Sequence, residues 1–370
     1  MRVGRPGRTK AFYVRRVGAV VRLGAFTVVD AYPDRPGGDA GRVADVVRLA
    51  EAVEAAGLSS LWVAEHHFHA GGVCPSPPVV LAACGMRTRT IRLGSLVSVL
   101  PFHRPVDVAE EYALLDRLLD GRLNLGVGSG YLASEFAGFG VDPADKRARF
   151  DAALATVLEA FAGKPIRAGG ENAPPVRLNV LPVQQPHPPV WVAVQRREAI
   201  PHIARQGRSI ALIPYATVDG LDDLAAEIDD YRRALPPEVR GEVAVAVHVY
   251  AGARVGLARE AFRRYVQSRL ATGSTFLEQK SRDRPHHATP EAIEESGLVL
   301  FGSPADVVRR MDRFARIGVD ELLGIFDFGG LPAEEVASSV RAVGEARGGI
   351  TVREASGAPA VRRGRPRPSG

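Results

Sequence analysis

Cysteine is scarce in this 370-residue chain, with Cys74 and Cys84 the only two. Two thiols at that spacing make neither a disulfide framework nor a metal-ligand motif, and they predict a reduced, cytoplasmic setting. Long apolar runs are missing as well. Nothing approaches the roughly 18 consecutive apolar residues of a membrane span, so no membrane partner is expected. Arg15-Arg16 precedes an apolar run, but Arg22 interrupts it and no small-residue cleavage site follows, which argues against an export signal. Acidic residues are lacking at the two ends. Residues 1–16 carry six basic side chains and no acidic one, and residues 351–370 carry five arginines against Glu354, whereas the whole chain has a formal charge of +6. The body between is therefore net negative. Basic charge confined to Gly- and Pro-rich ends predicts solvated, disordered tails rather than a nucleic-acid face.

What is present is a globular composition, 46% apolar and 24% charged, enough for a sizeable core. Short apolar runs read as strands at residues 21–29, 60–64, 91–99, 122–127, 190–194, 209–213, 242–250 and 321–326. Helical periodicity fills several of the gaps. Residues 39–56 place Val43, Val46, Val47, Ala50, Val53 and Ala56 on one stripe closed by Gly57, and Pro105 opens a helix that ends before Gly121. Eight strands alternating with helices predict an α/β fold, a (β/α)8 TIM barrel. A doubly wound sheet is disfavoured because the first strand leads into Asp30-Ala-Tyr-Pro and not into a glycine fingerprint. The expected layout is a basic extension over 1–20, the barrel over 21–350 and a basic tail over 351–370. Insertions follow strand four, at 163–189, and strand seven, at 252–297.

In such a barrel the chemistry lies at the C-terminal ends of the strands. The strand at Ser60 runs directly into Glu65-His66-His67. Side chains alternate along a strand, so Glu65 and His67 should share one direction and His66 the other. An imidazole beside a carboxylate offers proton transfer near neutral pH, and His66 is the candidate catalytic group. His67 admits two readings, substrate-lining or a structural hydrogen-bond partner, and His103 after strand three is a second candidate for the substrate cavity. After strand four, Gly126-Val-Gly-Ser129-Gly130 with Tyr131 forms a ligand-facing loop in which glycines allow close backbone approach. After strand five, Gln195-Arg196-Arg197 precedes a helix near Ala199, where a guanidinium and free amides would suit a phosphate, Arg196 before Arg197. A rival reading is a metal-dependent hydrolase assembled from His67, His69, His248 and Asp327.

Several of these segments together resemble the bacterial luciferase-like monooxygenases: Glu65-His66-His67-Phe68, Ile91-Arg-Leu-Gly94 with Val99-Leu-Pro101, Arg104-Pro105, Asp120-Gly121-Arg122, Gly126-Val-Gly-Ser-Gly130, Glu135-Phe136, and Phe328-Gly-Gly-Leu-Pro332. The resemblance implies an enzyme in which reduced FMN reacts with O2 to a C4a-peroxy adduct that oxygenates a small organic substrate. It implies His66 as the catalytic histidine, Glu65 and Tyr131 near the flavin, and a cis peptide at Leu96-Val97 beneath the isoalloxazine. It also implies a separate flavin reductase and a homodimer. The deazaflavin F420, used by relatives on the same barrel, is the alternative cofactor, and a flavin-binding barrel without catalysis stays open. One departure is notable. Where luciferases place an arginine for the flavin phosphate after strand four, this chain has Ser129. Where they have Glu and Ser after strand five, it has Gln195 and Arg196, so the positive charge is expected to have moved between loops.

Overall fold

A computed structural model describes residues 21–32, 41–69, 71–168, 172–272 and 275–356. The expected basic ends lie outside the described residues, apart from 351–356, which continue the last helix.

The strands are β1 (Arg22–Thr27), β2 (Ser60–Val63), β3 (Arg92–Val99), β4 (Leu123–Gly128), β5 (Val190–Ala193), β6 (Ser209–Leu212), β7 (Val243–Ala251), β8 (Val299–Gly302) and β9 (Glu321–Ile325). Every pairing between them is parallel. β1 to β7 pair in sequence, and β9 closes the ring between β7 and β1, giving an eight-stranded barrel. The (β/α)8 barrel expected from the strand rhythm is therefore the fold.

The ring is filled from within. Trp62 on β2 and Trp191 on β5 meet edge to face across the interior, with centroids 5.6 Å apart, and Trp62 is fully buried. Glycines on the neighbouring strands leave that room: a Cβ on Gly94 would come to 2.5 Å from the Trp62 ring. At the N-terminal end, buried Glu321 accepts from Ser60 Oγ at 2.5 Å and pairs with Arg22, closing the floor with polar groups that satisfy one another.

Helices α1 (Arg42–Ala55), α2 (Pro77–Arg87) and α3 (Pro105–Leu118) cover the first strands. In α3, Pro105 opens the helix, Asp107 sits in the first turn and Arg117 in the last, each favourable toward the helix dipole. Its bounds match the sequence reading. After β4 come α4 (Ala133–Phe139) and α5 (Lys146–Phe161), and after β5 and β6 come α6 (Ile200–Arg205) and α7 (Leu221–Ala234). The excursion after β7 holds α8 (Val255–Ala271), α9 (Thr275–Asp283) and α10 (Pro290–Glu295); α11 (Pro304–Arg316) and α12 (Ala333–Ser356) complete the coat.

The structure departs from the sequence reading in that excursion. One helix and a polar loop were expected, and three helices and a strand are found. α9 and α10 have nine and six residues, too short and too polar to show a clear 3.6 period. β8 is a four-residue apolar run that cannot be distinguished from a helix end by pattern alone. It pairs only with His248–Ala251, the far half of the nine-residue β7, and lies outside the barrel ring. The strand at 321–326 is thus the barrel's eighth but the chain's ninth.

β3 and β4 come unusually close near their C-terminal ends. Their register shifts between Ser95 and Ser98, and a Cβ on Gly126 would lie 2.0 Å from the Ser95 carbonyl oxygen. That oxygen belongs to fixed backbone, so Gly126→Ala should cost about 2 kcal/mol or more. The check is a lower urea midpoint at unchanged slope; an unaltered midpoint would show that the two strands can separate freely.

Candidate active site

β2 delivers its three polar residues to the C-terminal rim, and they separate as alternation requires. Glu65 and His67 fall on one side: Glu65 Oε1 accepts from His67 Nε2 at 3.0 Å and from His103 Nε2 at 2.7 Å, and Oε2 accepts the Val99 N–H at 3.1 Å. His66 points the other way, with Nδ1 3.0 Å from Glu135 Oε1. The same oxygen accepts the His67 N–H at 3.0 Å and lies 3.4 Å from His69 Nε2. Phe68 adopts a left-handed φ of 63°, and the chain folds back after it to bring His69 to this carboxylate.

Both carboxylates are almost fully buried. Burial alone would raise the Glu135 pKa. The hydrogen bonds from His66 and the His67 amide, with the His69 imidazole close by, outweigh it, bringing Glu135 down to about 2. Glu65 is likewise lowered: burial opposes its charge, but His103 and His67 donate to it. For His66, burial is the largest influence and depresses the pKa; Glu135 pulls it up, and Arg269 and His69 push it down, with a net lowering. An ionised Glu135 beside a neutral imidazole places the His66 proton on Nδ1 and leaves Nε2 as the acceptor. Gly72 packs on this ring, since a Cβ there would come to 2.6 Å from His66.

His66 opens onto a cavity at the rim. Its wall includes Glu65, Leu96, Val97, Ser129, Tyr131, Gln195 and Arg196, so eight of the ten residues singled out from sequence line one space. His67 and His103 do not line it. They sit behind Glu65, with His67 against the Phe139 ring at 4.7 Å. The Leu96-Val97 peptide is cis. Arg196 lines the cavity, whereas Arg197 turns away to Asp230 at 2.6 Å.

The four residues of the metal-hydrolase reading do not meet. His67 is held by Glu65 and His69 lies at Glu135, while Asp327 accepts from Arg42 at 2.6 Å. His248 is fully buried among Tyr215, Phe262, Tyr265 and Phe328. Among the described residues two triads do bring three ligand atoms within 4.8 Å, Glu65-His67-His103 and His66-His69-Glu135. Glu65 already accepts hydrogen bonds from both of its imidazoles, and Glu135 accepts one from His66.

Four wall residues were missed in the sequence. Glu135 belongs to a quoted motif, but α4 is only seven residues long and nothing local ties it to His66. Lys146 and Arg147 open α5 and reach the cavity beside Arg196. Burial, then Arg196 and Arg147, lower the Lys146 pKa, the mark of cations gathered in one place. Arg269 enters from α8. Its signal was available, as an arginine on the otherwise apolar stripe Ala258, Ala261, Phe262, Tyr265 and Val266.

A parallel eight-stranded barrel whose second strand presents a carboxylate-held imidazole to a cavity at the C-terminal rim has the layout of a (β/α)8-barrel active site. The luciferase-like monooxygenase family model matches residues 22–321, and the chain belongs to that family. It is 32% identical over 325 residues to the uncharacterized protein y4wF of Sinorhizobium fredii, covering 84% of this chain and 92% of that one. It is 22% identical over 320 residues to the oxygenase component of a flavin-dependent trigonelline monooxygenase of Acinetobacter baylyi, covering 81% and 88%. Among solved structures, the fold matches the oxygenating constituent of 3,6-diketocamphane monooxygenase from Pseudomonas putida, solved with FMN, at a TM-score of 0.73 and 17% identity over 88% of this chain and 97% of that one. It also matches the coenzyme F420-dependent tetrahydromethanopterin reductase of Methanopyrus kandleri at a TM-score of 0.64 and 16% identity, over 88% and 98%.

The electrostatics predict a measurable titration. The His66 imidazole should titrate below its ordinary value of about 6.5. Glu135→Gln removes a charge that favours the imidazolium, so the midpoint should fall further. Histidine resonances followed against pH check both; a midpoint that rises in the variant would show that Glu135 is not the partner.

Proposed function

We propose that this protein is the oxygenase component of a two-component monooxygenase, taking reduced FMN from a separate reductase and using O2 to oxygenate a small organic substrate. Reduced flavin, when bound, supplies the two electrons that let one oxygen atom enter the substrate while the other leaves as water. The observation that carries the reading is the polarity of the cavity. Its lining includes the apolar side chains Leu96, Val97, Val99 and Val192, suited to a flat ring, and also Lys146 and Arg147 from the start of the 16-residue α5 together with Arg196 and Ser129. Two cations at the N-terminus of α5 and a third, Arg196, in the loop after β5 fit a phosphate. The charge that an arginine would supply at Ser129 is thus provided by the start of α5 together with Arg196, and not by Arg196 alone.

The chain's own groups then have distinct tasks. Lys146, Arg147 and Arg196 bind the phosphate. The wall of Leu96, Val97 and Gly128 orients the ring, with a Cβ on Gly128 excluded by Val97 at 2.7 Å. His66 Nε2 takes up or returns a proton beside the reacting atoms, and Glu135 keeps the ring in the tautomer that allows it. Glu65 borders the ring site from behind. A homodimer belongs to the same reading: α2 and α3 pack together and leave Val79, Met86, Leu114 and Leu118 exposed.

An anaerobic titration with reduced FMN and with reduced F420, followed by admitting air, tests the reading. Reduced FMN should bind, and air should bring O2 uptake with candidate substrates. Arg196→Ala or Lys146→Ala should weaken reduced FMN at least about tenfold. His66→Gln should keep flavin affinity and lower product formation by about a hundredfold. Preferential binding of reduced F420 without O2 uptake would instead assign the deazaflavin chemistry. Sedimentation that finds only monomer at micromolar concentration would remove the dimer.

A further inference from the structure

α8 carries an arginine where its pattern calls for an apolar residue. The helix buries Ala258, Ala261, Phe262, Tyr265 and Val266, and the next position on that stripe is Arg269. Its side chain is 4% exposed and lines the cavity with Tyr131, Tyr265, Phe276 and His66. Nε and Nη2 have no hydrogen-bond acceptor among the described residues. The facing carboxylate, Asp30 Oδ2, is 3.8 Å from Nη2 and already takes the Tyr32 hydroxyl. The guanidinium lies over the Tyr265 ring, 4.8 Å from its centroid.

A buried guanidinium with two unused donors is costly, and a methionine or leucine would continue the stripe without that cost. Its planar fork matches the two oxygens of a carboxylate, or a single phenolate or enolate oxygen. The phosphate end of the cavity has its own cations in Lys146, Arg147 and Arg196, on other elements. Arg269 stands instead beside His66, on the excursion after β7 that contributes Tyr265 and Phe276 to the same lining. The rings of Tyr131, Tyr265 and Phe276 that share this wall suit a flat, conjugated frame.

We propose that Arg269 anchors the organic substrate by an acidic oxygen, so that the substrate is an aromatic or conjugated acid, carboxylate or phenolate, held beside His66. This rests on the oxygenase reading for what happens next, but the binding itself does not require flavin. The test is calorimetric titration of the flavin-free protein, with saturating inorganic phosphate to occupy the Lys146-Arg147-Arg196 cluster. The probes are 2-naphthoate, its neutral counterpart 2-naphthamide, and 2-naphthol.

The wild-type protein should bind 2-naphthoate at least about tenfold more tightly than 2-naphthamide. If phenolates are the preferred form, 2-naphthol should show its anion's absorbance at a pH where the free compound is neutral. Arg269→Met should abolish the preference and Arg269→Lys should retain part of it. Equal affinities for naphthoate and naphthamide in the wild type, including no binding of either, together with no 2-naphtholate absorbance, overturn the inference without any variant; so does a preference that survives Arg269→Met. Reduced FMN is titrated into phosphate-free samples of the same proteins. Flavin binding without charge discrimination sinks only this inference, and discrimination without flavin binding sinks only the oxygenase reading.

Discussion

Two ionised carboxylates buried at the mouth of β2 govern the arrangement of everything around them. Glu65 and Glu135 are 3% and 1% exposed, a situation that is tolerable only where several donors converge on each. Imidazoles and main-chain amides provide those donors. Because the strand alternates, satisfying Glu65 takes His67 and His103 to one side, and satisfying Glu135 holds His66 on the other. The free edge of His66 is therefore set by electrostatic necessity on both flanks and not by its own strand alone.

The same economy of charge shapes the cavity. Its walls are apolar where β3 and β4 approach and positive at two separate places, the start of α5 and the end of α8. Neither cationic group is neutralised by a well-formed ion pair among the described residues, although surface arginines such as Arg197 and Arg259 have close carboxylates. Charge left uncompensated in a recess serves recognition more readily than stability.

Much of this was legible in the amino-acid order, for physical reasons that differ by element. The barrel strands announce themselves because each is buried on both faces and reads as a short apolar run bounded by turn residues. The opposed directions of Glu65 and His66 follow from period two. Arg196 could be preferred to Arg197 from its place just after β5. What could not be read was partnership across distance. Glu135 lies 69 residues from His66, and Lys146 meets Arg196 only because two helices converge on the rim. His67 and His103 looked like cavity residues because their own segments end at the rim, yet they spend their nitrogens on Glu65. β8 was hidden by its brevity.

That ninth strand has a bearing on how such a chain diversifies. The segment after β7 departs from the far end of that strand and returns, through β8, to pair with the same four residues, His248–Ala251. It is a closed excursion, stapled at its base, and its length is irrelevant to the register by which β7 meets β6 and β9. Helices carrying Arg269 and Phe276 can accordingly be lengthened, trimmed or replaced as a cassette while the barrel beneath keeps its closure, so selectivity and scaffold can evolve on separate schedules.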